Sequence, residues 1–503
     1  MARVKNTILN LISKSSVLLL NNILSFISRT IFIKILGTSY LGINGLFSNI
    51  LMMLSLSELG IGTAITFSLY KPISENNKED IKSLMFFYKK AYRIIGLFVF
   101  ALGIFLMLFL DYLVPDPGNV TNLKLIFMIY IFNSSTSYFL SYKTTLLIAD
   151  QKEYLLFKSN TFFSIINSVF PIIFLVITRN YIVYLIVGVI TLFIQRVYVN
   201  YYVTILYPYL QDKEYNNISK HDLKEITVNV KAMLLHKIGD YCINGTDNII
   251  ISMFNKITSV GIYSNYNLIF SAINSFIGMV YTSMTASMGN FIASESKEKS
   301  FRIYKVIDFM GFWMYGFSAV CFYILINPFI ELWIGKENLF SELILIVLVI
   351  NNYMFGMRVP LFTIKSAAGI YDEDKFVPLI QSAVNLVSSI ILINKLGLIG
   401  VFLGTFISGL VPSLYRPYLV YKSVFSINPA IYYINYIKYM MLLILTTVIT
   451  KCICSFITIQ YIIAAFIMKL FICLLVPNII FFILFHKSDE VKYLINIVAK
   501  FRK

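Results

Sequence analysis

Charge is what this chain has least of. Only 13% of its 503 residues are Asp, Glu, Lys or Arg, 58% are hydrophobic, and the mean hydropathy is +0.77. A soluble protein of this length would fold as several domains with far more surface charge, so that class is excluded. No nucleotide-binding loop is present either. Gly335-Lys336-Glu337 lacks both the first glycine and the hydroxyl of a phosphate-cradling Gly-x-x-x-x-Gly-Lys-Ser/Thr turn. No His-Glu-x-x-His metal motif and no nucleophile elbow occurs. The chain is therefore expected not to be an enzyme and to carry no cofactor. Any driving force has to come from an ion gradient (H+ or Na+), the membrane potential or consumption of product.

Cysteine is sparse. Cys242, Cys321, Cys452, Cys454 and Cys473 all lie in apolar stretches without histidines at metal spacing, so they read as small buried hydrophobes. The amino terminus precedes an apolar run but no small-residue cleavage site follows. Asn21, Asn22, Ser25 and Arg29 interrupt that run, which is expected to be a retained span.

What is present is a succession of about fourteen apolar stretches of bilayer length. They run over 13–36, 41–69, 91–113, 123–148, 156–178, 181–204, 232–254, 261–290, 306–333, 340–366, 377–394, 398–421, 437–458 and 460–485. The net charge of +17 does not form one nucleic-acid face. It collects on alternate loops, in Lys71, Lys78, Lys82, Lys89 and Lys90, in Lys213, Lys220 and Lys224, in Lys297, Lys299, Arg302 and Lys305, and in the tail. The intervening loops carry about one basic residue each, such as Lys124, Arg179, Lys256 or Lys336. This bias predicts a multi-pass membrane protein with both termini cytoplasmic.

The two halves repeat. Leu41-Gly42-Ile43 resembles Val260-Gly261-Ile262, and Ile73-Ser74-Glu75 resembles Ala293-Ser294-Glu295. Lys143 through Asp150 resembles Lys365 through Asp372. The matches share an offset of about 220 residues and keep their order. The predicted fold is all-α: two pseudo-symmetric six-helix bundles around a central cavity, plus two C-terminal helices. The boundaries are 1–204, a cytoplasmic linker 205–231, 232–421, and 422–503 with a basic tail. An even helix count gives both bundles the same orientation, the layout of an alternating-access transporter. Gly397, Gly400, Gly404 and Ser408 share one face of the twelfth span and read as close helix packing.

Ionisable side chains within a span cost on the order of 3 kcal/mol each and are candidate functional groups. They include Arg29, Glu58, His236, Lys237, Asp240, Asp247, Arg358 and Lys365. His236, Asp240 and Asp247 fall at i, i+4 and i+11 on one helical face. Such a stripe lines a hydrated cavity or meets a partner; pairing of Asp240 or Asp247 with Arg29 is the structural alternative to a substrate or coupling site. Lys143 and Lys365 occupy matching repeat positions. Either snorkels to the interface, or the pair, with Arg358 deeper on the tenth span, forms an inward-facing basic vestibule.

Several segments together resemble a known family. They are Leu36-Gly37 through Tyr40-Leu41-Gly42, Ser57-Glu58-Leu59-Gly60-Ile61-Gly62, Thr246-Asp247-Asn248-Ile249-Ile250-Ile251, Val260-Gly261-Ile262-Tyr263-Ser264, Met288-Gly289-Asn290 and Gly400-Val401-Phe402-Leu403-Gly404-Thr405. In this order they resemble Wzx-type polysaccharide repeat-unit flippases of the multidrug/oligosaccharidyl-lipid/polysaccharide exporter superfamily, from about residue 10 to about residue 425. The resemblance implies a bacterial cytoplasmic-membrane flippase acting for capsular, O-antigen or exopolysaccharide assembly. Its substrate would be an undecaprenyl-diphosphate-linked oligosaccharide, and a separate polysaccharide polymerase would use the product. A monomer is expected. Arg29 falls where cavity arginines of related flippases engage the diphosphate.

Arg29, His236, Lys237, Arg358, Lys365 and Lys143 are the expected diphosphate and sugar ligands, and Glu58, Asp240 and Asp247 the expected coupling or gating groups. Two rivals stand beside this reading. A drug or cation exporter of the same superfamily would want an acidic cavity, for which Asp240, Asp247 and Glu58 give footing. A polytopic polymerase would want a large outside loop, and the longest here is the short Pro/Gly turn Val114-Pro115-Asp116-Pro117-Gly118-Asn119.

Overall fold

The computed structural model describes residues 2–55, 61–212, 245–370, 372–457 and 461–501, with Leu223, Ile226, Thr227, Val230 and Ile459 as isolated positions. Among the described residues there is no strand, and helix dominates. The chain is thus all-α, as expected. Twelve helices are long and apolar enough to cross a membrane by length and composition. They coincide with twelve of the expected spans. Of the other two, 232–254 lies mostly outside the described residues. The span expected over 41–69 is represented by two helices, α2 (Thr38–Leu54) and α3 (Ile61–Ser74).

The chain divides into two compact units, Met1–Gly261 (unit 1) and Ile262–Lys503 (unit 2). Unit 1 contains α1 (Ala2–Leu36), α2, α3, α4 (Lys78–Met107), α5 (Leu123–Leu140), α6 (Phe157–Thr178) and α7 (Tyr181–Leu206). A helical segment at 245–254 follows. Residues up to Gly261 therefore group with unit 1, whereas the sequence repeat assigns the segment from 232 to the second bundle. The packing gives a reason. The Ser252 hydroxyl donates to the Leu113 carbonyl at 2.7 Å, and a Cβ on Gly42 or Gly261 would overlap the Ile257 or Thr38 backbone respectively. These glycines match in the repeat, and each allows a backbone crossing that no larger residue would permit.

Unit 2 contains most of α8 (Ile257–Ser294), then α9 (Lys297–Ile334), α10 (Glu342–Ala367), α11 (Val377–Leu396), α12 (Leu398–Val420), α13 (Ala430–Ser455), α14 (Ile462–Phe485) and α15 (Asp489–Phe501). The tail read as a basic extension is thus largely helical. In the α11–α12 hairpin, Gly400 faces the Leu392 backbone and Gly404 faces Ser389. The Ser388 hydroxyl donates to the Gly404 carbonyl, and that of Ser389 to the Val401 carbonyl, both at 3.3 Å. Small residues bring the backbones close and hydroxyls satisfy themselves across the interface, which is how helices associate without a hydrophobic driving force.

Polar caps fix where the helices start. The Asn77 side chain accepts from the Asp80 amide at 3.2 Å, and Asn180 accepts from the Ile182 amide at 2.8 Å. Each satisfies an amide that the first helical turn leaves without an intrahelical partner.

Candidate functional site

Unit 1 holds its cations on neutral oxygen. Arg196, Asn200 and Thr204 recur every four residues along α7 and so share a face. That face meets α5 and the turn that continues it. Arg196 donates to the Asn133 carbonyl and side-chain oxygens, each at 3.0 Å, and to the Thr136 hydroxyl at 3.2 Å. Asn200 donates to the Leu140 carbonyl at 2.9 Å. The Lys143 ammonium donates to the Asn200 amide oxygen at 3.0 Å and to the Thr204 hydroxyl. Among the described residues neither Arg196 nor Lys143 has a carboxylate at ion-pair distance.

Towards α2 and α6 this polar layer opens into a cavity of 190 Å³ lined in part by Asn44, Tyr130, Asn133, Asn167 and Tyr184. Arg29, half-buried on α1, lies near enough to Tyr184 to interact with it electrostatically. Phe32 packs edge-on against the same ring at 5.3 Å and against Tyr181 at 5.7 Å. The Tyr181 and Tyr130 hydroxyls are 3.2 Å apart. An arginine thus stands beside a wall of phenols and amides, groups able to hydrogen-bond sugar hydroxyls. Asp247 is buried in the 245–254 segment between Thr246 and Asn248.

A larger cavity, 610 Å³, lies at the end of unit 1 where α4 begins. Lys82, Lys89, Tyr142, Lys143, Gln211 and Asp212 are among the residues lining it. Beside it, just beyond α7, the Tyr207 hydroxyl donates to Asp150 at 2.6 Å, and Lys152 pairs with the same carboxylate at 2.8 Å. Burial, reinforced by Asp150, pushes the Tyr207 phenol well above its usual pKa, so it stays a donor.

Unit 2 treats its cations differently. Lys365, 2% exposed, donates to Asp374, which is fully buried. Arg416 reaches the two oxygens of the same carboxylate at 3.2 and 3.1 Å. Asp374 is thus a shared counter-ion in the turn between α10 and α11, and Lys365 is a compensated interior charge. Arg358 is half-buried, 5.7 Å from the Phe355 ring, and forms no ion pair among the described residues. Its Nε has no hydrogen-bond partner among the described residues. Asp308, on α9, is buried and accepts from the Tyr304 hydroxyl at 3.4 Å. Tyr281, Tyr421, Tyr432 and Tyr439 are close enough to feel its charge.

The expected site residues are therefore distributed as follows. Arg29, Lys143 and Asp247 belong to unit 1, in separate polar clusters, and Arg358 and Lys365 to unit 2. Glu58, His236, Lys237 and Asp240 lie outside the described residues. Arg196, Asp308 and Asp374 were missed. The first two are ionisable groups inside expected spans, so the same insertion-cost argument would have found them. Asp374 is a loop residue, and its burial has no sequence signature.

A family model described as "Polysaccharide biosynthesis protein" matches residues 5–285. None of the curated proteins matches significantly. Among solved structures, the chain is similar to the lipid II flippase MurJ in an inward closed conformation. The TM-score is 0.63 at 19% identity, covering 94% of this chain and 98% of that one. It is also similar to a Vibrio cholerae MATE transporter, with TM-score 0.54, 16% identity, and 84% and 96% coverage. A transporter of the same superfamily from Pyrococcus furiosus gives TM-score 0.53 at 14% identity, with 84% and 96% coverage. At these identities the likeness is one of fold.

Proposed function

This chain belongs to the polysaccharide biosynthesis protein family, and from that premise we propose that it is a transporter of the multidrug/oligosaccharidyl-lipid/polysaccharide exporter superfamily that flips a lipid-linked oligosaccharide. The substrate is a polyprenyl-diphosphate-linked repeat unit made on the cytoplasmic face. Two six-helix bundles alternate access to it, and the exposed product passes to a polymerase outside. The membrane is the bacterial cytoplasmic membrane, with both chain termini inside.

The observation that carries this reading is the state of the cations in unit 1. Arg196, within α7, and Lys143, in the turn that follows α5, are held by amides and hydroxyls without a carboxylate among the described residues. A cation is kept in a bilayer interior only where a hydrated cavity or an anion compensates it. A diphosphate is such an anion, and Arg29 beside the phenol-lined cavity offers a planar fork for its oxygens. His236, Lys237, Lys143, Arg358 and Lys365 complete the proposed ligand set, with Lys365 acting as a buried positioning charge, and Glu58 and Asp240 belong with the coupling groups. Asp247 and Asp308, two buried carboxylates, serve coupling to a proton or sodium gradient.

The test is export in a strain lacking the chromosomal copy. Arg29→Ala should abolish export and make the lipid-linked intermediate accumulate, as read by mass spectrometry. Arg29→Lys should restore it in part. Normal export by Arg29→Ala removes the diphosphate role and favours the cation-exporter reading, for which the buried carboxylates are the supporting groups.

A further inference from the structure

We propose that the 610 Å³ cavity at the end of unit 1 is a separate entry site that binds the diphosphate of an isoprenoid lipid between Lys89 and Lys143, with Phe86 and Met85 as the wall for the first part of its chain. The choice of lipid rests on the flippase reading; the anion site itself does not.

The three lysines of the cavity are not equivalent. Lys82 is saturated: it pairs with Glu79 at 2.7 Å and with Asp212 at 3.6 Å. Among the described residues that line the cavity Asp212 is the one carboxylate, and Lys82 lies within ion-pair distance of it. Lys89 is half-buried and makes no hydrogen bond or ion pair among the described residues. Its charged neighbours are Arg93 and Lys143, both cations. Lys143 spends two of its three protons on Asn200 and Thr204 and keeps one. Two ammoniums therefore repel each other across one hollow, and neither is ion-paired among the described residues. A bound anion converts that repulsion into two charge-assisted bonds.

The geometry selects the kind of anion. Lys82 and Lys89 are seven residues apart on one face of α4, and Met85 and Phe86 lie between them. Phe86 is 39% exposed, an apolar surface beside the charge. The Tyr142 ring and Leu210 add to the lining. A single carboxylate would satisfy one ammonium and leave the apolar wall bare. A diphosphate presents two anionic groups in sequence and, on an isoprenoid, an apolar stem attached to them. The cavity volume lies in the range that encloses a small ligand. The loop-charge bias places this end of unit 1 towards the cytoplasm, where such a lipid would be loaded.

The full-length protein in nanodiscs of zwitterionic lipid should bind geranylgeranyl diphosphate, read by native mass spectrometry. Lys89→Gln and Lys143→Gln should each weaken binding about tenfold, while Lys89→Arg should stay within about threefold of wild type. Lys89 has no hydrogen-bond or ion-pair partner among the described residues, so its variants should keep the wild-type melting temperature. Geranylgeraniol should not bind, and inorganic pyrophosphate should compete only weakly because it lacks the stem. Wild-type affinity in Lys89→Gln overturns the site. Equal displacement by phosphatidylglycerol overturns the diphosphate assignment in favour of an ordinary anionic lipid. If Lys89→Gln loses the probe but deletion of the gene accumulates no lipid-linked saccharide, the flippase reading falls and the site stands. If export fails in Arg29→Ala but Lys89→Gln binds normally, the reverse holds.

Discussion

Lys143 in unit 1 and Lys365 in unit 2 open matching segments of the sequence repeat, and their surroundings differ. Lys365 is buried against Asp374, with Arg416 on the other side of that carboxylate. Lys143 is half-buried, rests on an amide and a hydroxyl, and faces a cavity. The divergence traces to one loop position. Nine residues after Lys365 stands Asp374; nine residues after Lys143 stands Lys152. An acid at that place ties the lysine into the protein. A base there leaves it with neutral partners and a free proton. The same ammonium is a strut in one unit and an available charge in the other.

The largest expected effect comes from breaking the strut. Asp374→Asn strands the buried Lys365 and the partly buried Arg416, and removing one partner of a buried pair costs about 3–5 kcal/mol. The variant should melt well below wild type or fail to accumulate. Lys365→Met and Arg416→Met combined with Asp374→Leu should recover much of the loss, since well-packed apolar groups replace such a triad at little cost. Wild-type melting of Asp374→Asn would abolish the distinction between the units.

Next in size is Arg196→Met, which deprives the Asn133 and Thr136 oxygens of their donor. The expected destabilisation is about 1.5–3 kcal/mol, the range for hydrogen bonds to a charged group, with export lost beyond what the lower protein level explains. The smallest change in stability belongs to Lys143→Gln, at about 1 kcal/mol or less, because a neutral side chain can still bond Asn200 and Thr204. Its export should nevertheless fall. Equal stability losses for Lys143→Gln and Lys365→Gln would show that the two lysines do the same work.

Hydropathy made most of the helices legible. The spans expected over 123–148 and 181–204 correspond to Leu123–Ala149 and Tyr181–Leu206. It read helix starts poorly where a charged turn stands outside the apolar window. The third span was expected from 91, but α4 begins at Lys78 behind its Asn77 cap, and α9 begins at Lys297 behind Ser296. Polarity reports what lies in lipid, whereas capping decides where a helix begins. At the site, the isolated charges Arg29, Lys143, Arg358 and Lys365 were visible as costs. Their partners were not. Whether Lys365 stands in a vestibule or in the interior depends on Asp374 folding back onto it, and a loop aspartate looks the same in sequence whether it is buried or solvated. Arg196 and Asp308 were legible by the same argument, and Arg196 also by the polar face it shares with Asn200 and Thr204.

The spacing of these partners also sets the order in which the chain can be assembled as it is made. Lys365 meets Asp374 only nine positions later, so its counter-ion leaves the ribosome within about two seconds at ordinary synthesis rates of roughly 5–20 residues per second. Lys143 waits 57 positions for Asn200 and 61 for Thr204, a delay of roughly 3–12 seconds. During that interval α5 has entered the membrane and α7 has not yet been made. Until α7 is made, the Lys143 ammonium at the end of α5 lacks the partners it has in the folded unit. The early half of the protein is therefore expected to be more sensitive than the later half to the insertion machinery or to anionic lipid.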